Sequence, residues 1–209
     1  MGTPTLIVVR HSATKYDPPV AKDDIIAGWQ DLPLAPEGRA EAKRIGEAFK
    51  DKPIARIWST DLQRGADTAA AISKGNTRRP LVMETKSLRP QNVGELNNRK
   101  EKDVHDDLIF YQVEAPTRAI PGGESFETHT NRLLPFLQDR LESVKKRGST
   151  EVIVTHSRNF PIIHGWHKAG MNGTDVDTGP IKKDAEIGVG HAIVFTWSGE
   201  AWALNTMKT

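Results

Sequence analysis

Leu6-Ile7-Val8-Val9-Arg10-His11-Ser12 is a short apolar, β-branched run that stops abruptly at an arginine and a histidine. Such a run reads as a buried strand whose last residues emerge at its carboxyl end. In an open α/β sheet, that rim is where ligands bind. A strand that merely ends in two polar residues would look the same, so the weight rests on what else converges there. Glu151-Val152-Ile153-Val154-Thr155-His156 repeats the pattern, with another histidine at the exit.

Outward from the first run, residues 12–35 are polar and punctuated by Pro18, Pro19 and Pro33. They read as one long loop, and loops of that length in a compact domain are usually functional. Pro36 suits a first helical position and Glu37 a helix N-terminus. Ala42, Ile45, Gly46 and Phe49 recur at helical spacing, predicting a helix near 36–50. Ile54–Trp58 reads as a second strand, followed by Ser59-Thr60-Asp61, all helix-capping types, and an alanine-rich helix over about 62–74. Leu81–Met83 is a third, short strand.

Residues 85–122 are irregular and charged, an insertion or lid with one short helix near 101–111. Pro121-Gly122-Gly123 leads into a long amphipathic helix with Phe126, Leu133, Leu137, Leu141 and Val144 on one side. Pro135 is expected to kink or split that helix, and Lys145-Lys146-Arg147 to form its solvated end. A helix over about 159–170, a glycine-rich connection, a strand at Ala192–Trp197 and an edge strand holding Trp202 after a turn at Gly199 follow. The alternation implies a mostly parallel sheet covered by helices on both faces. With no repeat or linker, residues 1–209 read as one α/β domain.

Charge is nearly balanced, with 29 basic and 27 acidic side chains and a net charge of +2. That gives no case for a nucleic-acid footprint. There is no cysteine, which excludes disulfides, thiolate metal sites and a cysteine nucleophile. No apolar run reaches membrane-spanning length and no signal segment opens the chain. A soluble cytoplasmic protein that contacts neither nucleic acid nor membrane is the expectation, with a dimer left open.

Arg10 and His11 follow the first strand, Arg64 lies in the first helical turn after the second, and His156 follows the fourth. If these strands are neighbours, two arginines and two histidines meet on one rim. Clustering them is unfavourable unless an anion sits among them. Arginine's planar fork suits phosphate oxygens, and helix N-termini add backbone donors. A phosphate pocket is the simplest account. A histidine inside it can also act as nucleophile, with the neighbouring cations stabilising the transferring group.

Val8-Val9-Arg10-His11-Ser12-Ala13-Thr14 resembles the Arg-His-Gly signature of the histidine phosphatase superfamily, the phosphoglycerate mutase-like family. Gly28-Trp29-Gln30-Asp31-Leu32-Pro33-Leu34 with Gly38, Ser59 to Ala69 around Arg64, Pro121 to Ser125, and Val154 to Ser157 resemble further motifs of that family in the same order. The resemblance implies a three-layer α/β/α sandwich with a mostly parallel central sheet and an inserted cap at about 85–122. It implies His11 as the nucleophile that becomes phosphohistidine. Arg10, Arg64 and His156 would hold the phosphoryl oxygens. No metal and no cofactor are expected.

Three departures bear on the site. Ser12 replaces glycine and adds a hydroxyl. Asp17 stands where many relatives carry an asparagine that touches phosphate, so it is either displaced or an acid. Pro90 falls where many phosphatases of the family carry their proton-donating glutamate. Glu95 is preferred as the substitute on segment position, then Glu124, then Asp17; a general acid must reach the leaving oxygen. Arg158 and Asn159, just past His156, either reach substrate or only start a helix. Trp29 and Trp166 are core or pocket wall.

These readings lead to a metal-independent phosphatase that hydrolyses a phosphomonoester or a phosphoramidate through a phosphohistidine on His11, its substrate a small phosphorylated molecule or a phosphoprotein. The alternatives are phosphoglycerate mutase-type transfer, and a phosphate- or phosphoprotein-binding module that has lost its acid.

Overall fold

In a computed structural model describing residues 2–182 and 191–208, the first run is strand β1 (Thr5–Arg10). The other strands are β2 (Ile54–Thr60), β3 (Val82–Thr85), β4 (Thr150–Thr155), β5 (His191–Trp197) and β6 (Trp202–Lys208). They form one sheet in the order β3-β2-β4-β1-β5-β6. β1, β2, β3 and β4 run parallel, and β5 and β6 join antiparallel to their neighbours. This is the mostly parallel α/β sandwich.

Side chains alternate across the sheet. Leu6 and Val8 join the core on one face with α4 (Phe126–Arg147) and α5 (Asn159–Lys168). Ile7 and Val9 join the core on the other with α1 (Pro36–Ala48) and α2 (Gln63–Gly75). A strand buried on both faces tolerates polar residues only at its end, so Arg10 and His11 fall at the rim. β1 pairs with β4 so that Arg10 faces Thr155, and His11 N–H donates to the Thr155 carbonyl at 2.9 Å. His11 and His156 therefore leave the sheet side by side.

Several expectations need correction. Ser59 and Thr60 are buried strand residues rather than helix caps. α2 begins at Gln63 with no side-chain cap on Leu62; instead Asp31 Oδ1, from the long loop, accepts from the Gln63 N–H at 2.6 Å. Pro135 does not split α4, which runs unbroken for 22 residues. Pro135 and Asn131, whose carbonyl loses its helical donor, both lie on the exposed face of the helix, where a missing backbone bond costs least. The buried stripe through Leu133, Leu134, Leu137 and Leu141 holds the helix together on its other side. Ser125 caps its start, and Gly148, at φ 59°, ends it in the left-handed conformation that glycine adopts without strain. Part of the glycine-rich connection, residues 183–190, lies outside the described residues.

The segment between β3 and α4 holds α3 (Glu101–Ile109), continued by a π-helical turn at Phe110–Glu114. It has a small apolar cluster of its own: Val93, Val104, Leu108 and Ile120 pack with Ile26 from the long loop. The loop is thereby fastened to this segment over the sheet's rim. A last short helix, α6, spans Gly179–Lys182.

Gly38, in the first turn of α1, carries the backbone of the loop after β1. A Cβ there would sit 1.9 Å from the Ala13 carbonyl oxygen. Gly38→Ala is expected to destabilise the fold by about 1–3 kcal/mol through overpacking. At roughly 2–4 °C per kcal/mol for a chain of this size, thermal unfolding by circular dichroism should show the loss. An unchanged midpoint would mean that the loop relaxes freely.

Candidate active site

The rim of β1, β4 and α2 opens into a pocket lined by His11, Asp17, Arg64, His156 and Arg158, with Thr14, Tyr16, the 24–28 stretch, Pro90, Gln91, Val93, Glu101 and Ser157. His11 and His156 face each other edge-on, ring centroids 4.9 Å apart. His11 Nδ1 lies 2.9 Å from the Ser12 carbonyl oxygen. A carbonyl only accepts, so Nδ1 carries the hydrogen and Nε2 keeps its lone pair. Burial, with the Arg64 and Arg10 charges adding, pushes His11 down to about 3, against the opposing pull of Asp17. The ring is therefore a neutral base with a free Nε2 across the ordinary pH range. His156 is also held well below its usual range by burial, Arg64 and His11.

Arg10 and Asp17 are both buried and paired, Nη2 to Oδ1 at 2.7 Å. Thr14 donates to the other carboxylate oxygen from its N–H at 2.8 Å and its hydroxyl at 2.6 Å. Although burial opposes it, the His11, Arg10 and Thr14 contacts hold Asp17 down at about 2. Asp17 is therefore an anchor for Arg10 and not a proton donor at ordinary pH. Arg64, 2 % exposed, donates Nη1 to the Gln30 carbonyl at 2.6 Å and Nη2 to the Gly28 carbonyl at 2.9 Å. Its terminal nitrogens thus brace the long loop, and burial lowers it to about 10. Ser12 N–H is fixed on Thr68 Oγ1 at 3.0 Å. Ser12 Oγ, Arg64 Nε and both His156 ring nitrogens are buried without a protein partner. Buried polar atoms are normally paired, and Arg64 and His156 line the pocket with His11, so their unpaired nitrogens suit a polyoxygen anion that supplies those bonds; Arg10 and Ser12 are buried next to His11 in the chain but are not among the lining residues.

The other expected carboxylates do not reach the pocket. Glu95 is exposed on a 3-10 turn at Gly94–Leu96, outside the lining. Glu124 is tied to Arg132 Nη2 at 2.6 Å and to the Asn92 N–H at 2.9 Å, also outside it. Segment position, which favours Glu95, and a place before a helix, which offers Glu124, fix neither burial nor direction. Pro90 does line the pocket, and its carbonyl accepts from Trp29 and Arg132 at 2.8 Å each. Trp29, under the Arg89 and Arg132 guanidiniums, supports that segment without lining the pocket. Trp166 is core.

Arg158 does reach the pocket, ion-paired with Glu101 of α3. Asn159 is buried and donates Nδ2 to Thr155 Oγ1 at 2.8 Å, bracing the β4 exit. Sequence reasoning missed Glu101 and Asp24. Burial and Glu101 raise Asp24 to about 6, while Lys100 and Lys102 lower the adjacent Asp23 to about 2. Two neighbouring aspartates are thus driven apart by surroundings that no local motif signals. Among the described residues, no three His, Asp or Glu side chains gather into a metal-holding group. None of the described helices is long and apolar enough to cross a membrane.

Residues 6–182 match the family described as histidine phosphatase superfamily (branch 1). Among curated relatives, a 2,3-bisphosphoglycerate-dependent phosphoglycerate mutase from Cytophaga hutchinsonii is 26% identical over 161 residues, covering 75% of this chain and 74% of its own. The structure of a mycobacterial glucosyl-3-phosphoglycerate phosphatase superposes with a TM-score of 0.74 at 20% identity, covering 99% of both chains. The alpha-ribazole phosphatase from Shigella flexneri follows at 0.71 and 17% identity, covering 98% and 96%. At these identities the structural likeness speaks for the fold.

Proposed function

The chain belongs to the histidine phosphatase superfamily, branch 1, and from that premise we propose that it hydrolyses a small phosphomonoester through a phosphohistidine on His11. The observation that carries this reading is the Nδ1 contact to the Ser12 carbonyl, which leaves Nε2 as a free, neutral nucleophile in a pocket that Arg64 and His156 also line with unpaired nitrogens. Nε2 attacks phosphorus in line, the ester oxygen leaves with a proton, and water then displaces the phosphoryl group from Nε2. Splitting the displacement in two is what a nucleophilic side chain contributes. The fixed charge of Arg10 and Arg64, with Ser12 and His156, stabilises the equatorial oxygens as negative charge spreads over them.

Hydrolysis is favoured over phosphoglycerate mutase-type transfer by the rest of the wall. A mutase must hold a second anionic group of its substrate. Here the wall beyond the histidines carries Ile25, Ile26 and Val93, the neutral polar groups of Tyr16 and Gln91 and the carboxyls of Asp24 and Glu101, and its Arg158 is already engaged by Glu101. Such a wall suits a weakly charged alcohol portion.

The test uses phosphate esters of sugars, nucleosides and simple alcohols alongside 3-phosphoglycerate. Release of inorganic phosphate, with a base-stable, acid-labile phosphohistidine mapped to His11 by mass spectrometry, is the expected result. Interconversion of phosphoglycerates without net phosphate release would establish the mutase reading instead. Phosphate binding with no turnover across pH would leave a binding module.

A further inference from the structure

We propose, resting on the phosphohistidine reading, that Asp24 is the catalytic acid that protonates the leaving oxygen, in place of the glutamate that Pro90 displaces. Asp24 and Glu101 are the two carboxylates that share the pocket wall with His11 and do not belong to the Arg10 anchor. Glu101 is engaged by Arg158, which leaves Asp24 as the uncommitted one.

The backbone holds Asp24 in place. Its carbonyl accepts from the Glu101 N–H at 3.0 Å, Ile25 bridges to Lys100, and Ile26 exchanges backbone bonds with Arg99 and Asn98 at 2.9 Å each. The Ile26 side chain is buried in the small cluster beneath α3. A residue whose own carbonyl and two following residues are fixed in this way can present a carboxyl to the same point in every turnover.

The charged groups acting on Asp24 come from four elements. Glu101 of α3 and Asp17 of the long loop favour its protonated form; Arg10 at the end of β1 and Arg158 at the start of α5 oppose it. Burial outweighs the arginines, and the carboxyl is raised to about 6. It therefore carries its proton where a surface aspartate has lost it. In the first step the phosphorus–oxygen ester bond breaks, its electron pair goes to oxygen, and that oxygen takes the Asp24 proton as the Nε2–phosphorus bond forms. Asp24 is left as a carboxylate. In the second step it takes a proton from the attacking water as the Nε2–phosphorus bond breaks and the pair returns to Nε2. The acid is regenerated, and alcohol and phosphate are the products.

The test is a leaving-group series on the full chain, from 2,4-dinitrophenyl phosphate, whose phenolate needs no proton, to simple alkyl phosphates, whose alkoxides do. Asp24→Asn should lose roughly 10²–10³-fold in kcat/KM on alkyl phosphates and far less on the dinitrophenyl ester, with Asp24→Glu restoring part of the difference. In the wild type, alkyl phosphate turnover should fall as pH rises through about 6, with a one-proton slope. Glu101→Gln removes the charge that raises Asp24 and releases Arg158, so that limb should move to lower pH. An equal loss on every ester, or none on any, would overturn the assignment, as would a wild-type alkaline limb that Glu101→Gln leaves in place. Should Asp24→Asn not fold, the last two measurements decide alone. If phosphohistidine forms on His11 but these signatures fail, only Asp24 falls; if none forms, the double displacement falls with it.

Discussion

His11→Ala is expected to lower turnover of every phosphomonoester the wild type accepts by roughly 10⁴-fold or more, and to abolish the phosphohistidine. The size follows from the chemistry. Alanine removes the atom that attacks phosphorus, and the nearest other imidazole cannot take its place. His156 leaves a neighbouring strand, with its ring centroid 4.9 Å from that of His11, so a phosphorus in line with one Nε2 is out of line with the other. The fold should survive, because His11 is a rim residue whose backbone N–H still bonds Thr155. Near-ultraviolet circular dichroism and thermal unfolding verify that. Burst labelling with a radioactive phosphate ester then reads the covalent step, and steady-state phosphate release reads the whole cycle. Retained turnover in a folded variant would sink the mechanism. On the acid side, His11 titrates at about 3, so protonation of the nucleophile should limit the rate only below about pH 4.

The second large effect is on stability. Asp17→Ala strips Arg10 of a carboxylate held at 2.7 Å inside the fold, and leaves the Thr14 N–H and hydroxyl without their acceptor. Removing one partner of a buried ion pair costs about 3–5 kcal/mol, because the other charge stays buried without its counterpart. Urea denaturation should show the loss as a lower midpoint at similar slope. An anion that binds at the site replaces part of the missing charge, so phosphate or vanadate should raise the unfolding temperature more in the variant than in the wild type. The pH dependence has a definite sign. Asp17 is depressed from 3.8 to about 2, so its stabilisation is present above about pH 4 and is lost as pH falls through 2. That part of acid unfolding should vanish in Asp17→Ala. A variant as stable as the wild type would mean that Arg10 finds an equal anionic partner elsewhere.

Much of this molecule was legible in its sequence. Two continuous apolar runs, each closing on a polar residue, located β1 and β4. The order of the motifs then located Arg10, His11, Arg64 and His156. Those residues follow directly from strand ends and a helix start, so local sequence places them once the strands are neighbours. The second face of the sheet was legible for the same reason, since Pro36, Ala42 and Ile45 announce α1 without help from elsewhere.

The proton donor was not legible, and the reason is physical. Whether a carboxyl holds a proton near neutrality depends on burial and on the charges around it, and those are tertiary quantities. Asp23 and Asp24 are adjacent in the chain, yet one meets Lys100 and Lys102 while the other meets Glu101 and the pocket. Glu95 and Glu124 lay in the expected segments, but one is exposed and the other clasps Arg132. Pro135 likewise signalled a break that packing and an exposed face made unnecessary. The sequence by itself determined the α/β order and the two histidines and two arginines at the sheet's rim, because an apolar run and the polar residue that ends it are local signals. Only the tertiary structure decided that Asp17 is held as a carboxylate against Arg10 and that Asp24 lines the pocket with a raised carboxyl, because a side chain's charge state is set by neighbours that folding brings from distant parts of the chain.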